Sequence, residues 1–467
     1  MLAGLWGLSH GRAGAYGRGV AKPTRLTALE SSFLAIERPG LPMHVAGVVV
    51  CEAAERPVTV KDLRRLVTTR LSRLPRYRQR VRTRWSGLLR SEWVDAADLD
   101  VDAHLFHHRL RSPGGPARLN ELCARIHEEP LPRDRPLWQI HLVDGLAGGR
   151  QALVVKTHHA ITDGIAGIKI ASVLFDHEGP AHEWAGGGPG SPHFAASTAP
   201  SLLGLAQGAL GLAFTAAGGP IALPSRLNGA VGAHRAFGHT AVPMELVRNL
   251  KRRFGGSVDD VLVALVAAGL ARELAGDATA RPHALRAMLP VSTRPPVDGS
   301  ELGNHVSAVF VDLPLDTADL ELLVRRIATS KSVLRSTHTA AGMSMLIEVA
   351  GWLPHPIHQA AVRLATSLPV ANLVLSDVPG PDEALFFLGR RILACYPMIP
   401  LPAAVGLSIA AVSIGGQMGI GIVSDPRLLP KPQRLASEID AAVRAAVRPH
   451  RASPRRKLVQ PARRRAA

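Results

Sequence analysis

The chain has 467 residues, 46% hydrophobic and 20% charged, with 55 Lys and Arg against 37 Asp and Glu for a formal net charge of +18. That length exceeds one ordinary core and predicts two domains, and the composition excludes a disordered or fibrous chain. Cys51, Cys123 and Cys395 lie far apart and match no metal-ligand spacing, which speaks against a disulfide framework and fits a reducing compartment.

In chain order, residues 1–22 carry one short apolar burst, Leu2 to Trp6, that Gly, Ser, His and Arg break before a signal-peptide core forms. They read as a poorly ordered extension, and export is not expected. Residues 23–180 read as a first lobe. Pro39-Gly40 marks a turn and His44 to Val50 a strand. Thr59 with Asp62 is a capping-box pattern, followed by Val60, Leu63, Leu66, Val67 and Leu71 on one helical face. Leu119, Leu122, Cys123 and Ile126 make a second such face, which assigns Cys123 to the core. Pro136 to Val143 and Ala152 to Lys156, joined across Gly145 to Gly149, predict a hairpin. Its second arm runs into Lys156-Thr157-His158-His159-Ala160-Ile161-Thr162-Asp163-Gly164, and a helix is expected over 165–175.

Residues 181–235 change character. Gly186 to Gly190 is a linker signature, and Ser201 to Leu223 holds no charge at all. Roughly 20 apolar residues span a bilayer. The glycines, Gln207 and Pro220 favour instead a crossover helix that touches a membrane surface. Residues 236–447 restart the pattern as a second lobe. Ser257 to Asp260 caps a helix to about Leu274, and strands are expected over 285–290, 304–313 and 372–376. A helix follows Asp319, a hairpin covers 407–423, and a closing helix covers 435–447. The class is α/β in two lobes. Residues 448–467 hold eight Arg or Lys and no acid, nearly half the excess charge. This basic tail reads as disordered, either a phosphate-seeking arm or simply solvated. No aromatic-interleaved basic platform supports specific nucleic-acid recognition.

The histidine pair admits three chemistries. A metal site would need His158, His159 and Asp163 to converge, but adjacent strand residues point to opposite faces. The His-Glu-x-x-His pattern is also absent, so no metal is expected. A nucleophilic Ser would need an elbow, and no Gly-x-Ser-x-Gly occurs. General-base catalysis remains, with one imidazole facing a cleft and the other packed. A second pair, His107-His108, lacks a following acid, which shows how little a bare His-His specifies.

His-His-x-x-x-Asp-Gly resembles the signature of the CoA-dependent acyltransferase superfamily, whose members include chloramphenicol acetyltransferases and peptide-synthetase condensation domains. Phe33 to Val45, Leu74 to Arg80, Pro136-Leu137-Trp138, Val258 to Val261, Leu302-Gly303-Asn304 and Val378 to Pro381 follow in order. Together they resemble the bacterial wax ester synthase/diacylglycerol acyltransferase family from about residue 24 to 447. The resemblance implies two chloramphenicol-acetyltransferase-like lobes joined by a crossover linker, with an active-site channel between them. It implies His159 as general base, His158 as support, Asp163 as a structural residue pairing with an arginine, for which Arg294 is a candidate, and Gly164 in the turn. Asp259, Asp260, Ser376 and Asp377 are the channel candidates of the second lobe. The implied reaction joins acyl-CoA, as co-substrate and with no cofactor, to a diacylglycerol or a long-chain alcohol. The implied setting is cytoplasmic, peripheral to the inner membrane face or a lipid inclusion. A catalytically drifted lipid-binding paralogue and an amide-forming condensation-type enzyme are the alternatives. Several positions depart from the family pattern. Glu30 stands for its Asp, Asp259 and Asp377 for Asn, and Pro132 for an Asp, with Asp134 nearby. Each Asn to Asp change replaces a donor–acceptor amide by an anion that only accepts.

Overall fold

The computed structural model describes residues 23–83, 91–162, 164–177, 222, 224–275, 283–292, 306–336 and 354–447. The extension, nearly all of the uncharged 201–223 segment, the basic tail, Asp163 and Arg294 lie outside these described residues.

The first half forms β1 (Thr24–Arg25), α1 (Ala28–Ile36), β2 (His44–Cys51), α2 (Val60–Arg70), β3 (Gln79–Arg82) and β4 (Glu92–Asp95). It continues with β5 (Leu105–Arg109), α3 (Pro116–Glu128), β6 (Trp138–Asp144), β7 (Gln151–His158), α4 (Gly164–Leu174) and β8 (Asp176–His177). The second half adds β9 (Ala236–Pro243), α5 (Met244–Phe254), α6 (Val258–Glu273), β10 (Ala284–Ser292), β11 (Val306–Pro314) and α7 (Leu320–Ser336). Then come α8 (His355–Ser367), β12 (Leu373–Val378), β13 (Leu385–Phe387), β14 (Arg390–Met398), β15 (Leu407–Ile414), β16 (Gln417–Ser424) and α9 (Pro432–Val447).

Local chemistry sets many of these elements. Thr59 Oγ1 accepts from the Asp62 amide at 3.3 Å, and the Asp62 carboxylate accepts from the Thr59 amide at 3.1 Å, as the capping pattern predicts. Leu63, Leu66 and Val67 of α2 bury the expected face. Ser257 and Asp260 close a second capping box at α6. Residues 261–268 of α6 are all essentially buried, so this helix is apolar on every side and forms the centre of the second lobe's core. Among the described residues no single helix is long and apolar enough to cross a membrane.

The first lobe's sheet has the order β5-β6-β7-β2-β14-β13-β8, and the second lobe's β11-β10-β12-β15-β16-β9. Residues 385–398 thus lie in the first lobe's sheet although the chain reaches them from within the second, so the lobes are not two consecutive blocks. The sheets meet where β14 crosses β16. A Cβ at Gly419 would sit 1.9 Å from the Cys395 carbonyl oxygen and one at Gly421 1.9 Å from that of Pro397. Only glycine at both positions lets the strands approach so closely. Other differences from the sequence reading are smaller. The strand expected over 372–376 runs to Val378 and takes Asp377 into the sheet, because Ser376, Asp377 and Val378 pair with Ala410, Ala411 and Val412 of β15. The closing helix begins at Pro432, which its first turn tolerates. Strands β9, β13 and β14 and helices α5 and α8 were not anticipated, although Met244, Val247, Leu250 and Phe254 of α5 recur at helical spacing and are buried. All three cysteines are free, and burial pushes the Cys51 and Cys395 thiols up to about 12.

Candidate active site

Strand β7 delivers the histidine pair. It lies between β6 and β2, with His158 opposite His44 in register. At its end the His158 amide donates to Leu137 O at 2.9 Å, the His159 amide to Met43 O at 2.8 Å, and the Ile161 amide back to His158 O at 2.9 Å. The backbone therefore leaves the sheet at His159, and α4 begins at Gly164.

The two imidazoles have separate surroundings. His158 is 1% exposed, and its Nδ1 accepts the Ala160 amide at 3.0 Å. An amide can only donate, so the ring proton of a neutral His158 sits on Nε2. That edge faces Glu37 Oε1 at 3.5 Å, long for a hydrogen bond but close enough for attraction. His159 is half-buried, and its ring stacks on Phe33 with centroids 4.0 Å apart and planes 15° from parallel. His158 is thus packed within the strand end, and His159 sits half-buried against Phe33.

Glu37 was not singled out from sequence, yet it touches several parts of the site. Its carboxylate accepts from the Met43 amide at 3.2 Å and pairs with the Arg133 guanidinium, whose Nε lies at 3.1 Å. Burial alone would raise its pKa, but His158 and Arg133 outweigh burial and hold it down at about 2. It caps the C-terminus of α1, and the Pro39-Gly40 turn brings the chain back so that Met43 meets it.

Beneath the pair lies a dry polar layer. Lys156 is 0% exposed and donates to Ile126 O at 2.6 Å and to Glu129 O, closing the C-terminus of α3. Burial pushes it down to about 8 against the pull of Glu129 and Glu37. His44 Nε2 donates to His127 O at 2.5 Å, and burial holds both histidines far below the usual range, so they stay neutral.

Other sequence motifs support this strand end. Trp138 Nε1 donates to Tyr77 O at 2.8 Å, and the Tyr77 hydroxyl meets Thr157 Oγ1 at 2.7 Å, one residue before His158. Glu30 completes the α1 capping box with Thr27, accepts from Trp93 Nε1 at 3.2 Å and faces Arg76 at 3.6 Å. These are packing roles, as their apolar company suggests.

The second-lobe candidates form a cluster of their own about Lys331. This lysine of α7 lies 2.7 Å from Asp260 Oδ1 and also pairs with Asp259, both in the first turn of α6, where the helix dipole favours acids. Asp377 on β12 is pushed up to about 7 by burial and by the neighbouring Asp259 charge, with Lys331 opposing. Ser376 precedes it in the sheet, paired with Ala410. Lys331 was missed because a lysine in an amphipathic helix reads as a solvated residue.

Residues 26–187 match the model of the wax ester synthase/diacylglycerol acyltransferase catalytic domain, and residues 302–445 that family's C-terminal domain. A Mycobacterium tuberculosis protein named as a diacylglycerol O-acyltransferase is 30% identical over 444 residues, 88% of this chain and 88% of its own. Another from that organism, named tgs2, is 29% identical over 439 residues, 89% of this chain and 97% of its own. The wax ester synthase/diacylglycerol acyltransferase from Marinobacter aquaeolei superposes with a TM-score of 0.66 at 22% identity, over 90% of this chain and 98% of that one. The starter condensation domain of rhizomide synthetase RzmA, in complex with C8-CoA and Leu-SNAC, superposes with a TM-score of 0.61 at 14% identity, over 90% and 93%. These two likenesses show a shared two-lobed fold.

Proposed function

Because this chain belongs to the wax ester synthase/diacylglycerol acyltransferase family, we propose that it moves the acyl group of a long-chain acyl-CoA to the hydroxyl of a diacylglycerol or a long-chain alcohol, with His159 as general base. The observation that carries this reading is the unequal setting of the pair. His158 is buried with Nδ1 already occupied, whereas His159 stands half-buried past the end of the strand.

The step balances without further reagents. His159 takes the acceptor's hydroxyl proton as its oxygen bonds to the thioester carbonyl carbon. The tetrahedral oxyanion collapses, the carbon–sulfur bond breaks, and the departing CoA sulfur takes the proton back from His159. No acyl-enzyme forms, and acyl-CoA is a co-substrate rather than a cofactor. His158 holds the turn through Ala160. Asp163, with Arg294 as its arginine, is assigned to holding the start of α4 at Gly164. Asp259, Asp260, Ser376 and Asp377 are assigned to the second lobe's side of the substrate channel.

Both acceptors are lipids, so the protein is proposed to work peripherally, at the inner membrane face or on lipid inclusions. Ile357, Leu364 and Leu368, exposed at 54%, 67% and 44% along and just beyond α8, support such a contact. Thiol release from palmitoyl-CoA with dioleoylglycerol, hexadecanol and a long-chain amine as separate acceptors tests the reading. Ester formation with either hydroxyl acceptor, lost by roughly a thousandfold in His159→Ala, is expected. Wild-type rates in that variant would remove His159 from the mechanism, and turnover with the amine alone would replace the acceptor class.

A further inference from the structure

Helix α1 touches both histidines, and the second lobe touches α1. We propose that Phe33 is the positioning residue for His159, and that the second lobe sets its position by clamping α1 through His358 and Arg363. This rests on His159 being the base.

The stack between Phe33 and His159 fixes the plane of the imidazole through its faces, whereas the ring nitrogens lie at its edges. A side chain with two free torsions otherwise samples several orientations, only a few of which point a nitrogen at an acceptor hydroxyl. The contact also strengthens as the reaction proceeds. A neutral imidazole meets the phenyl face through dispersion, whereas the imidazolium formed by proton abstraction is a cation over a π face. An interaction stronger at the transition state than in the ground state raises kcat rather than lowering KM.

Phe33 is only as well placed as its helix. Nine residues make a helix that tertiary contacts must hold. At its start Glu30 is tied to Trp93, and at its end Arg133 donates to Leu34 O at 3.2 Å and pairs with Glu37. These contacts come from the first lobe. Two more come from α8. Ser32 Oγ donates to Ala28 O at 2.9 Å, which leaves it to accept from His358 Nε2 at 3.1 Å, and Arg363 Nε donates to Ala35 O at 2.8 Å. Ser32 and His358 are both buried, so this contact is dry. The residues flanking Phe33 in α1 are thus held by α8, which leads into β12 of the second lobe's sheet, and the plane of the base depends on how that helix is docked.

Steady-state thiol release from palmitoyl-CoA with dioleoylglycerol tests this in Phe33→Leu, Phe33→Tyr, His358→Leu, His358→Gln and His159→Ala. Phe33→Leu is expected to lower kcat roughly tenfold with KM for palmitoyl-CoA within about twofold, while Phe33→Tyr, which keeps the stack, retains at least about half of kcat. His358→Leu is expected to lower kcat about threefold to fivefold, and His358→Gln, which keeps a donor to Ser32, to restore it. Wild-type kcat in Phe33→Leu alongside an inactive His159→Ala overturns the positioning role and leaves the base assignment standing. Full activity in His159→Ala removes the base itself, whatever Phe33 does. Equal losses in the His358 Leu and Gln variants, or a rise in KM in place of a fall in kcat, overturn the clamp. The His358 pair decides the question even where Phe33→Leu fails to give a cooperative thermal transition.

Discussion

Each lobe buries a charged centre, and the two are built on opposite principles. In the first lobe one carboxylate, Glu37, answers the Arg133 guanidinium and faces His158, and the neighbouring His44 and His127 are kept uncharged. Among the described residues of the second lobe, Asp259, Asp260 and Asp377 gather around Lys331, and burial together with the Asp259 charge pushes the Asp377 carboxyl up to about 7. A carboxylate held against opposite charge keeps its charge over the working pH range, whereas a buried acid crowded by another acid titrates within it.

The opposite signs make the comparison breakable by pH. Glu37 has a folded pKa of about 2 against an ordinary 4.5, so its stabilisation is present above about 4.5 and is lost as pH falls towards 2. Asp377 has a folded pKa of about 7 against 3.8, so between those values the folded state binds the extra proton and stability falls as pH rises. Asp377→Asn should produce the largest effect, a gain of about 4 kcal/mol at most above pH 7 and none near pH 4, read from urea unfolding across that range. A parallel pH slope in wild type and variant would show that Asp377 is not the titrating group. Lys331→Met should cost about 3 kcal/mol at pH 8 by leaving the aspartates without their cation, and in the double variant Lys331→Met/Asp377→Asn the second substitution should stabilise by more than it does in the wild type. Simple additivity in that double variant would separate Lys331 from Asp377.

In the first lobe, Glu37→Gln keeps an acceptor for the Met43 amide but removes the charge. Stability below about pH 2 should be unchanged, and about 3 kcal/mol should be lost at pH 6. An equal loss at both pH values would assign Glu37 to shape rather than charge. The smallest effects compare the two capping boxes. Thr27→Ala and Ser257→Ala should each cost about 1 kcal/mol, and Thr27→Ala, which loosens the helix carrying Phe33, should also lower kcat. Wild-type kcat in Thr27→Ala would detach α1 from catalysis.

Much of the site was legible because its chemistry is local. The strand end, the two histidines and the start of α4 lie within one short run of chain, and strand alternation already separated His158 from His159. The order of motifs along the chain pointed to the family and its two lobes, which the comparisons bear out. Asp163 and Arg294, by contrast, lie outside the described residues. Glu37 was not legible. A glutamate at the C-terminal end of a short helix looks like any solvated acid until β2 and β7 pair and bring His158 to it. Lys331 is 72 residues from Asp259, and no local pattern links them.

What the sequence determined by itself is what acts over three or four residues or alternates along a strand. The capping boxes of Thr59 with Asp62 and of Ser257 with Asp260, the β15–β16 hairpin, and the apolar faces of α2 and α3 belong here. Their energies depend on neighbours in the chain, so the chain order contains them. Only the tertiary structure decided that β14 would enter the first lobe's sheet, that α8 would grip α1, and that Glu37 would face His158. Those contacts join residues distant in sequence, and their strength comes from burial that exists only once both lobes have formed. The histidine pair belongs to both classes: its position is written in the strand, and its surroundings are supplied by the fold.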